Sequence, residues 1–80
     1  MGSRIIDNEK KNIIGSNVKK IRSIRKMSQQ EVADKLELFG IYICRGSISR
    51  IEDFSRTVTD IELIGLAKVL NVNVDDLFME

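Results

Sequence analysis

The stretch SQQEVADKL, residues 28–36, decides the fold of this chain of 80 residues. Ser28 and Glu31 have the spacing of a capping box, in which the serine hydroxyl accepts from the amide three residues on and the glutamate reaches back. The apolar residues that follow have helical spacing and predict a helix over 28–39: Val32, Ala33, Leu36 and Phe39. Gly40 then suits the left-handed position that closes a helix.

Capping-box spacing recurs twice toward the C-terminus. The two pairs are Thr59 with Glu62 and, as a weaker analogue, Asn73 with Asp76. They predict a helix over 60–70 and a short final helix over 74–79. The apolar residues expected to be buried on these helices are Leu63, Ile64, Ala67, Leu70, Val74, Leu77 and Phe78.

Two further helices are predicted from apolar spacing, over 12–26 and 45–54. Their apolar positions are Ile14, Val18, Ile21, Ile24, Ile48 and Ile51. The fold class is therefore all-α, a compact domain of five helices over residues 12–80. Residues 1–11 lack periodicity and are expected to form a flexible N-terminal segment.

The composition excludes several classes of protein. No apolar run reaches the length that spans a membrane. Cys44 is the only cysteine and cannot form an internal disulfide, which favours a reducing, cytoplasmic setting. Because histidine and a glycine-rich phosphate loop are both absent, we expect no enzyme, no cofactor and no metal site.

The charge is distributed unevenly along the chain. Residues 1–56 contain 12 Lys/Arg and 7 Asp/Glu, a net charge of +5, whereas residues 57–80 have a net charge of −4. A polyanion would be attracted to the first part. A solvated surface with clustered charges is the alternative explanation.

Four motifs in order resemble the phage repressor/Cro family, also called the xenobiotic-response-element (XRE) type. Residues 28–36 resemble its second helix, "SQEELAEKL", and SISRIE at 47–52 resembles its recognition helix, "TISRIE". LAKVLNV at 66–72 resembles its fourth helix, and VDDLF at 74–78 its closing "LDELF". The resemblance implies a lambda-repressor-like helix-turn-helix domain that binds double-stranded DNA.

The resemblance also implies roles for residues of the recognition helix. The positions that match base-reading residues in the major groove are Arg45, Gly46, Ser47, Ser49 and Arg50. Arginine suits this role because its planar fork can pair with guanine O6 and N7. A simple phosphate contact is the alternative for Arg45 and Arg50.

Positions around the recognition helix match supporting residues of the family. Gln29 matches a residue that binds a phosphate and braces the recognition helix, with a plain exposed glutamine as the alternative. Arg56 matches a basic residue that approaches the DNA backbone. Arg22 and Glu52 match an ion pair that joins the first helix to the third.

The sequence departs from the family in three places. The turn between the second and third helices is lengthened, and we predict an extended segment there with Ile41 and Ile43 on one side and Tyr42 on the other. Cys44 stands at the N-cap of the recognition helix, where cysteine caps poorly. Phe54 replaces a common glycine, so we expect Asp53 to take the left-handed turn instead.

The sequence therefore predicts a transcription regulator, a repressor, that binds palindromic operator DNA as a homodimer. The alternative is an antitoxin or adaptor that binds a protein on the same fold. Its partner surface would be the aromatic and aliphatic residues of the long turn: Phe39, Ile41, Tyr42 and Ile43.

Overall fold

The structure, a computed structural model, describes residues 9–79. This range contains no β-strand; it has four α-helices and one short 3₁₀ helix. The α-helices are α1 (Gly15–Ile24), α2 (Gln29–Leu38), α3 (Arg45–Glu52) and α4 (Asp60–Leu70), and the 3₁₀ helix is Val74–Phe78. The all-α prediction is confirmed.

The expectation of five α-helices needs a correction, because the fifth element is the 3₁₀ helix Val74–Phe78. Its opening turn is closed by the Asp76 amide bonding to the Asn73 carbonyl at 3.0 Å, an i→i+3 bond. A short closing element of this kind is typical of the tighter 3₁₀ form. The Asp76 carboxylate also accepts from the Asn73 amide at 2.9 Å.

The two stronger capping boxes are both formed. In α2, the Ser28 hydroxyl accepts from the Glu31 amide, and the Glu31 carboxylate accepts from the Ser28 amide, both at 3.0 Å. Thr59 and Glu62 make the same pair of bonds at the start of α4. These reciprocal bonds satisfy amides that have no partner inside the helix.

All four α-helices end with the same reversal of the chain. A residue one or two positions after each helix has a positive φ. The amide of the residue that follows it donates to the carbonyl five residues earlier, at 2.9 to 3.0 Å, as in a Schellman motif. These four residues are Lys26, Gly40, Phe54 and Asn71. Gly40 therefore has its predicted role.

The expected left-handed turn at Asp53 is wrong, because Phe54 adopts it with a φ of 68°. Asp53 still has a near-helical backbone, with a φ of −98°, so the reversal falls on the next residue. The Asp53 carboxylate instead accepts from the Ser55 amide at 3.0 Å and stabilises the turn.

The core lies between the helices, where α3 packs on α1 and α2, and α4 packs on α2, α1 and the 3₁₀ helix. The largest fully buried side chains are Val18, Val32, Leu36, Ile48, Ile51, Leu66, Leu70 and Leu77. Two residues that were expected to be buried, Ile64 and Phe78, are exposed. The apolar residues of α4 are spaced so that either of two overlapping faces of the helix could be buried. The face that packs on the core carries Leu66, and Ile64 lies outside it.

The lengthened turn between α2 and α3 is non-helical over residues 41–44, as predicted, and its last residue, Cys44, has an extended backbone. Ile41 and Ile43 are half-buried against the core, whereas 78% of Tyr42 is exposed. A Cβ atom on Gly65 would collide with the side chain of Ile41. The glycine therefore makes room for this segment on α4.

The predicted N-terminal segment, residues 1–11, lies mostly outside the described residues. Within it, the Lys11 amide donates to the Phe54 carbonyl at 2.8 Å. The chain therefore reaches α1 by way of the loop that follows α3.

Candidate nucleic-acid interface

The free face of α3 points directly away from the core. Ile48, Ile51 and Glu52 are buried on the inner face. Gly46 and Arg50 are four residues apart and share the opposite face. Ser47 and Ser49 flank this face and are half-buried, and Arg45 is exposed in the first turn. Of the five positions that the resemblance assigned to base reading, Gly46 and Arg50 therefore share the free face, Ser47 and Ser49 lie at its edges, and Arg45, four residues before Ser49, lies on the Ser49 side.

The N-terminal turn of α3 forms a small polar cluster. The Arg50 guanidinium donates to the Ser47 hydroxyl at 3.3 Å, and Cys44 Sγ lies 3.5 Å from the same oxygen. The Cys44 side chain makes no capping hydrogen bond. The Ser47 hydroxyl, and then the Ser47 amide, favour the thiolate form and so lower the pKa of Cys44 to about 7.

An ion pair on the inner face of α3 joins this helix to α1. Arg22 Nε and one terminal nitrogen donate to the two oxygens of Glu52 at 2.7 and 3.1 Å. Only 14% of the Arg22 side chain and 5% of the Glu52 side chain are exposed. The hydrogen bond to Glu52 raises the pKa of Arg22 against the opposing effect of burial. Arg22 also donates to the Met27 carbonyl at 2.9 Å, which links the pair to the turn before α2.

Gln29 completes this cluster. Its side-chain amide donates to Glu52 Oε1 at 3.0 Å, so the carboxylate receives donors from both α1 and α2. Gln29 stands at the first position of α2, where free backbone amides also point outward. Its side chain therefore braces α3 and lies beside an anion-attracting helix terminus.

Arg56 has an internal partner that the sequence analysis missed. Its guanidinium donates to both oxygens of Glu62 at 2.9 and 3.0 Å and to the Thr57 carbonyl at 3.0 Å. The hydrogen bonds from Arg56 lower the pKa of Glu62, whose carboxylate also belongs to the capping box of α4. The charge of Arg56 is thus balanced inside the protein.

Asn12 is a second residue that the sequence analysis missed. Its side-chain amide donates to the carbonyls of Ile51 and Arg56 at 3.0 and 2.8 Å, and its oxygen accepts from the Gly15 amide at 2.8 Å. One side chain therefore joins the start of α1 to the end of α3 and to the loop beyond it. The available signal was local: an asparagine three residues before a helical glycine has the spacing of an N-cap.

Residues 9–79 contain neither a candidate metal site nor a membrane-spanning helix. No group of three or more acidic or cysteine side chains in this range could hold a metal ion. None of its helices has the length and apolarity needed to cross a bilayer.

Comparison with known proteins gives a structural match. No model of a protein family matches the chain, and no curated protein matches it. Among solved structures, it is similar to the restriction-modification controller protein C.AhdI from Aeromonas hydrophila. The TM-score is 0.72 and the sequence identity is 22%, over 81% of this chain and 91% of that chain. At this identity the similarity shows that the two chains share a fold.

Proposed function

We propose that this chain is a sequence-specific DNA-binding transcription regulator of the phage repressor/Cro type. In this role it acts as a repressor, without a cofactor or a catalytic step, and binds operator DNA with α3 in the major groove. The observation that carries the proposal is the contrast between the two faces of α3: a free polar and cationic face, and an inner face held by buried contacts.

The dimensions of α3 suit the major groove. An α-helix with its side chains is about 10–12 Å in diameter, which fits a major groove about 12 Å wide. With its N-terminal turn in the groove, α3 would present the side chains of Arg45 and Arg50 to the base edges. Ser47 and Ser49 would lie on either side, where a hydroxyl can donate or accept.

The contacts behind α3 support the same role. A carboxylate on the DNA-facing surface would repel phosphates, but Glu52 is buried and paired with Arg22. Gln29 and Arg22 fix its two oxygens, so the orientation of α3 is set before DNA binds. Such preorganisation reduces the entropy lost on binding.

A homodimer is part of the proposal. One recognition helix per protomer would read one half-site, which explains why an operator of this kind is a palindrome. The fold shared with a restriction-modification controller protein supports a regulatory role. Binding within the cytoplasm, where the single thiol of Cys44 stays reduced, fits the same role.

A protein-binding antitoxin or adaptor is the second candidate, and one observation favours it. Phe39 and Tyr42 are largely exposed in the long turn. The partner surface expected there is smaller than the sequence suggested, because Ile41 and Ile43 pack against the core. This candidate therefore depends on the two aromatic rings alone.

Selection of bound sequences from random double-stranded DNA, followed by titrations at several salt concentrations, separates the two candidates. We expect an enriched palindromic site and a logarithmic affinity that falls linearly with the logarithm of the salt concentration. Absence of binding at low salt, or an affinity that does not respond to salt, would contradict the DNA-binding function and favour the protein-binding one.

A further inference from the structure

The loop after α3 lacks the free arginine that the resemblance implies. In the proposed docking, which the following inference takes as its basis, the C-terminal end of α3 lies at the edge of the major groove, next to the phosphates. Arg56 follows that end, but its charge is balanced by Glu62. A phosphate contact at this edge needs another cation.

Two lysines are held at this loop by contacts from a distant part of the sequence. The Lys11 amide donates to the Phe54 carbonyl at 2.8 Å, and Lys10 Nζ lies 4.6 Å from the centre of the Phe54 ring, within cation–π range. The next residue, Asn12, donates to the Arg56 carbonyl. Three consecutive residues therefore contact the loop that follows α3.

Both lysine side chains are exposed, and neither forms a salt bridge with a described carboxylate. The bond to Phe54 holds the Lys11 backbone at this loop, and the contact with the Phe54 ring holds the Lys10 ammonium group there. Lysine acts as a point charge that binds a phosphate oxygen without the demanding geometry of arginine.

We propose that Lys10 and Lys11 contact the phosphates of the DNA strand at the C-terminal end of α3. They take the position that the resemblance gives to Arg56. Because phosphate contacts carry no direct sequence information, these lysines contribute affinity and orientation, and the base contacts of α3 supply specificity.

The test is the salt dependence of the double variant Lys10→Gln, Lys11→Gln, bound to the selected site and to random DNA. The substitutions leave the backbone bond from Lys11 to Phe54 in place. We expect the slope of log affinity against log salt to become shallower by roughly 0.9 for each lysine. Affinity should fall by the same factor on both DNAs, so the specificity ratio stays unchanged.

Two matched double variants complete the design. Lys35→Gln with Lys68→Gln removes the same charge from α2 and α4, and should keep nearly the wild-type slope. Lys10→Arg with Lys11→Arg keeps the charge at the loop and should also retain that slope. If the arginine variant retains the wild-type slope, the shallower slope of the glutamine variant comes from the lost charge and not from misfolding.

Three outcomes would overturn the inference. One is a slope for the Lys10→Gln, Lys11→Gln variant equal to that of wild type or of the control on α2 and α4. Another is a change in specificity ratio, which would make these lysines base readers. The third is a failure of the wild-type chain itself to bind DNA, which would overturn the proposed function as well.

Discussion

The two ends of α3 differ in how they are held. At its C-terminal end, Glu52 receives donors from Arg22 and Gln29, and the Ile51 carbonyl accepts from Asn12. At its N-terminal end, Cys44 forms no capping bond with its side chain, and the polar contacts are long, at 3.3 and 3.5 Å. We call these the anchored end and the free end.

The difference explains how one short helix can be rigid and still available to a ligand. At the anchored end, hydrogen-bond donors and acceptors are used internally, which fixes the position of the helix. Arg45 lies in the first turn, and the Arg50 side chain, which starts in the last turn, reaches back to Ser47. Both guanidinium groups therefore present donors near the free end. In the proposed function, stability therefore depends on one end of α3, and recognition depends on side chains that gather near the other end.

The largest expected effect comes from breaking the anchored end with Glu52→Ala. The substitution leaves the poorly exposed Arg22 guanidinium without its partner, and a buried charge left in this way costs about 3 kcal/mol. Urea unfolding followed by circular dichroism measures the loss. A double-mutant cycle with Arg22→Ala should show strong coupling.

The control for this prediction is Asp34→Ala on the exposed surface of α2, where Asp34 only accepts from Gln30. Its stability should stay within about 0.5 kcal/mol of wild type. Equal effects of Glu52→Ala and Asp34→Ala would show that the ion pair does not anchor α3.

Two helical glycines, Gly15 and Gly46, give a direct comparison of the ends. A Cβ atom on Gly15 would collide with the Ile51 carbonyl oxygen and lie 3.2 Å from that of Glu52. These are backbone atoms of the anchored end, so Gly15→Ala should move α1 away from α3 and destabilise by about 2 kcal/mol. Thermal and urea unfolding measure this effect.

Gly46→Ala is the same substitution at the free end. The new Cβ atom would meet only Arg50 and Cys44, at ordinary distances of 3.6 and 3.8 Å. Alanine also favours the helix by up to about 1 kcal/mol over glycine, so this variant should equal or exceed wild type in stability. Comparable destabilisation by both substitutions would remove the distinction between the ends.

The next prediction concerns recognition at the free end. Arg50→Ala or Arg45→Ala should leave unfolding unchanged, because both side chains are exposed. Affinity for the selected site should fall by about 1.5 kcal/mol, roughly tenfold in Kd, with a smaller loss on random DNA. Equal losses on both DNAs would make these arginines phosphate binders.

Local signals explain what the sequence could predict of the fold. Some features depend on residues at most five positions apart and can therefore be predicted from the sequence. They are the capping boxes of Ser28 and Thr59 and the chain reversal at Gly40. The absence of helix in the long turn, and the alternating burial of Ile41, Tyr42 and Ile43, could be predicted from these residues and the neighbouring glycines.

The contacts that were missed join residues far apart in the chain. Asn12 reaches Ile51 and Arg56 across 39 and 44 residues, and no local pattern predicts such bonds. The pairing of Arg56 with Glu62 is close in sequence, but Glu62 was explained by its cap, and one carboxylate serves both roles. The ion pair between Arg22 and Glu52 was expected only from the family resemblance.

The smallest expected effect comes from strengthening the free end with Cys44→Ser. Cys44 already has the extended backbone of an N-cap, with φ −85° and ψ 167°, but its side chain accepts no capping bond. Serine is among the best capping residues, so the variant should raise Tm by a few degrees at pH 6.

The effect should depend on pH, because the pKa of Cys44 is lowered to about 7 in the folded chain. The usual thiol value is about 8.5, so the folded state releases its proton more readily than the unfolded state. Ionisation therefore adds stability to wild type as pH rises from about 7 toward 8.5, and that stability is lost as pH falls through 7. The thiolate is the better acceptor for amides at a helix N-terminus.

The Tm advantage of Cys44→Ser over wild type should accordingly shrink between pH 6 and pH 9. The Tm of Cys44→Ala should match that of wild type at pH 6 and fall below it at pH 9. Parallel Tm curves for the three proteins would show that the thiol does not interact with the free end of α3.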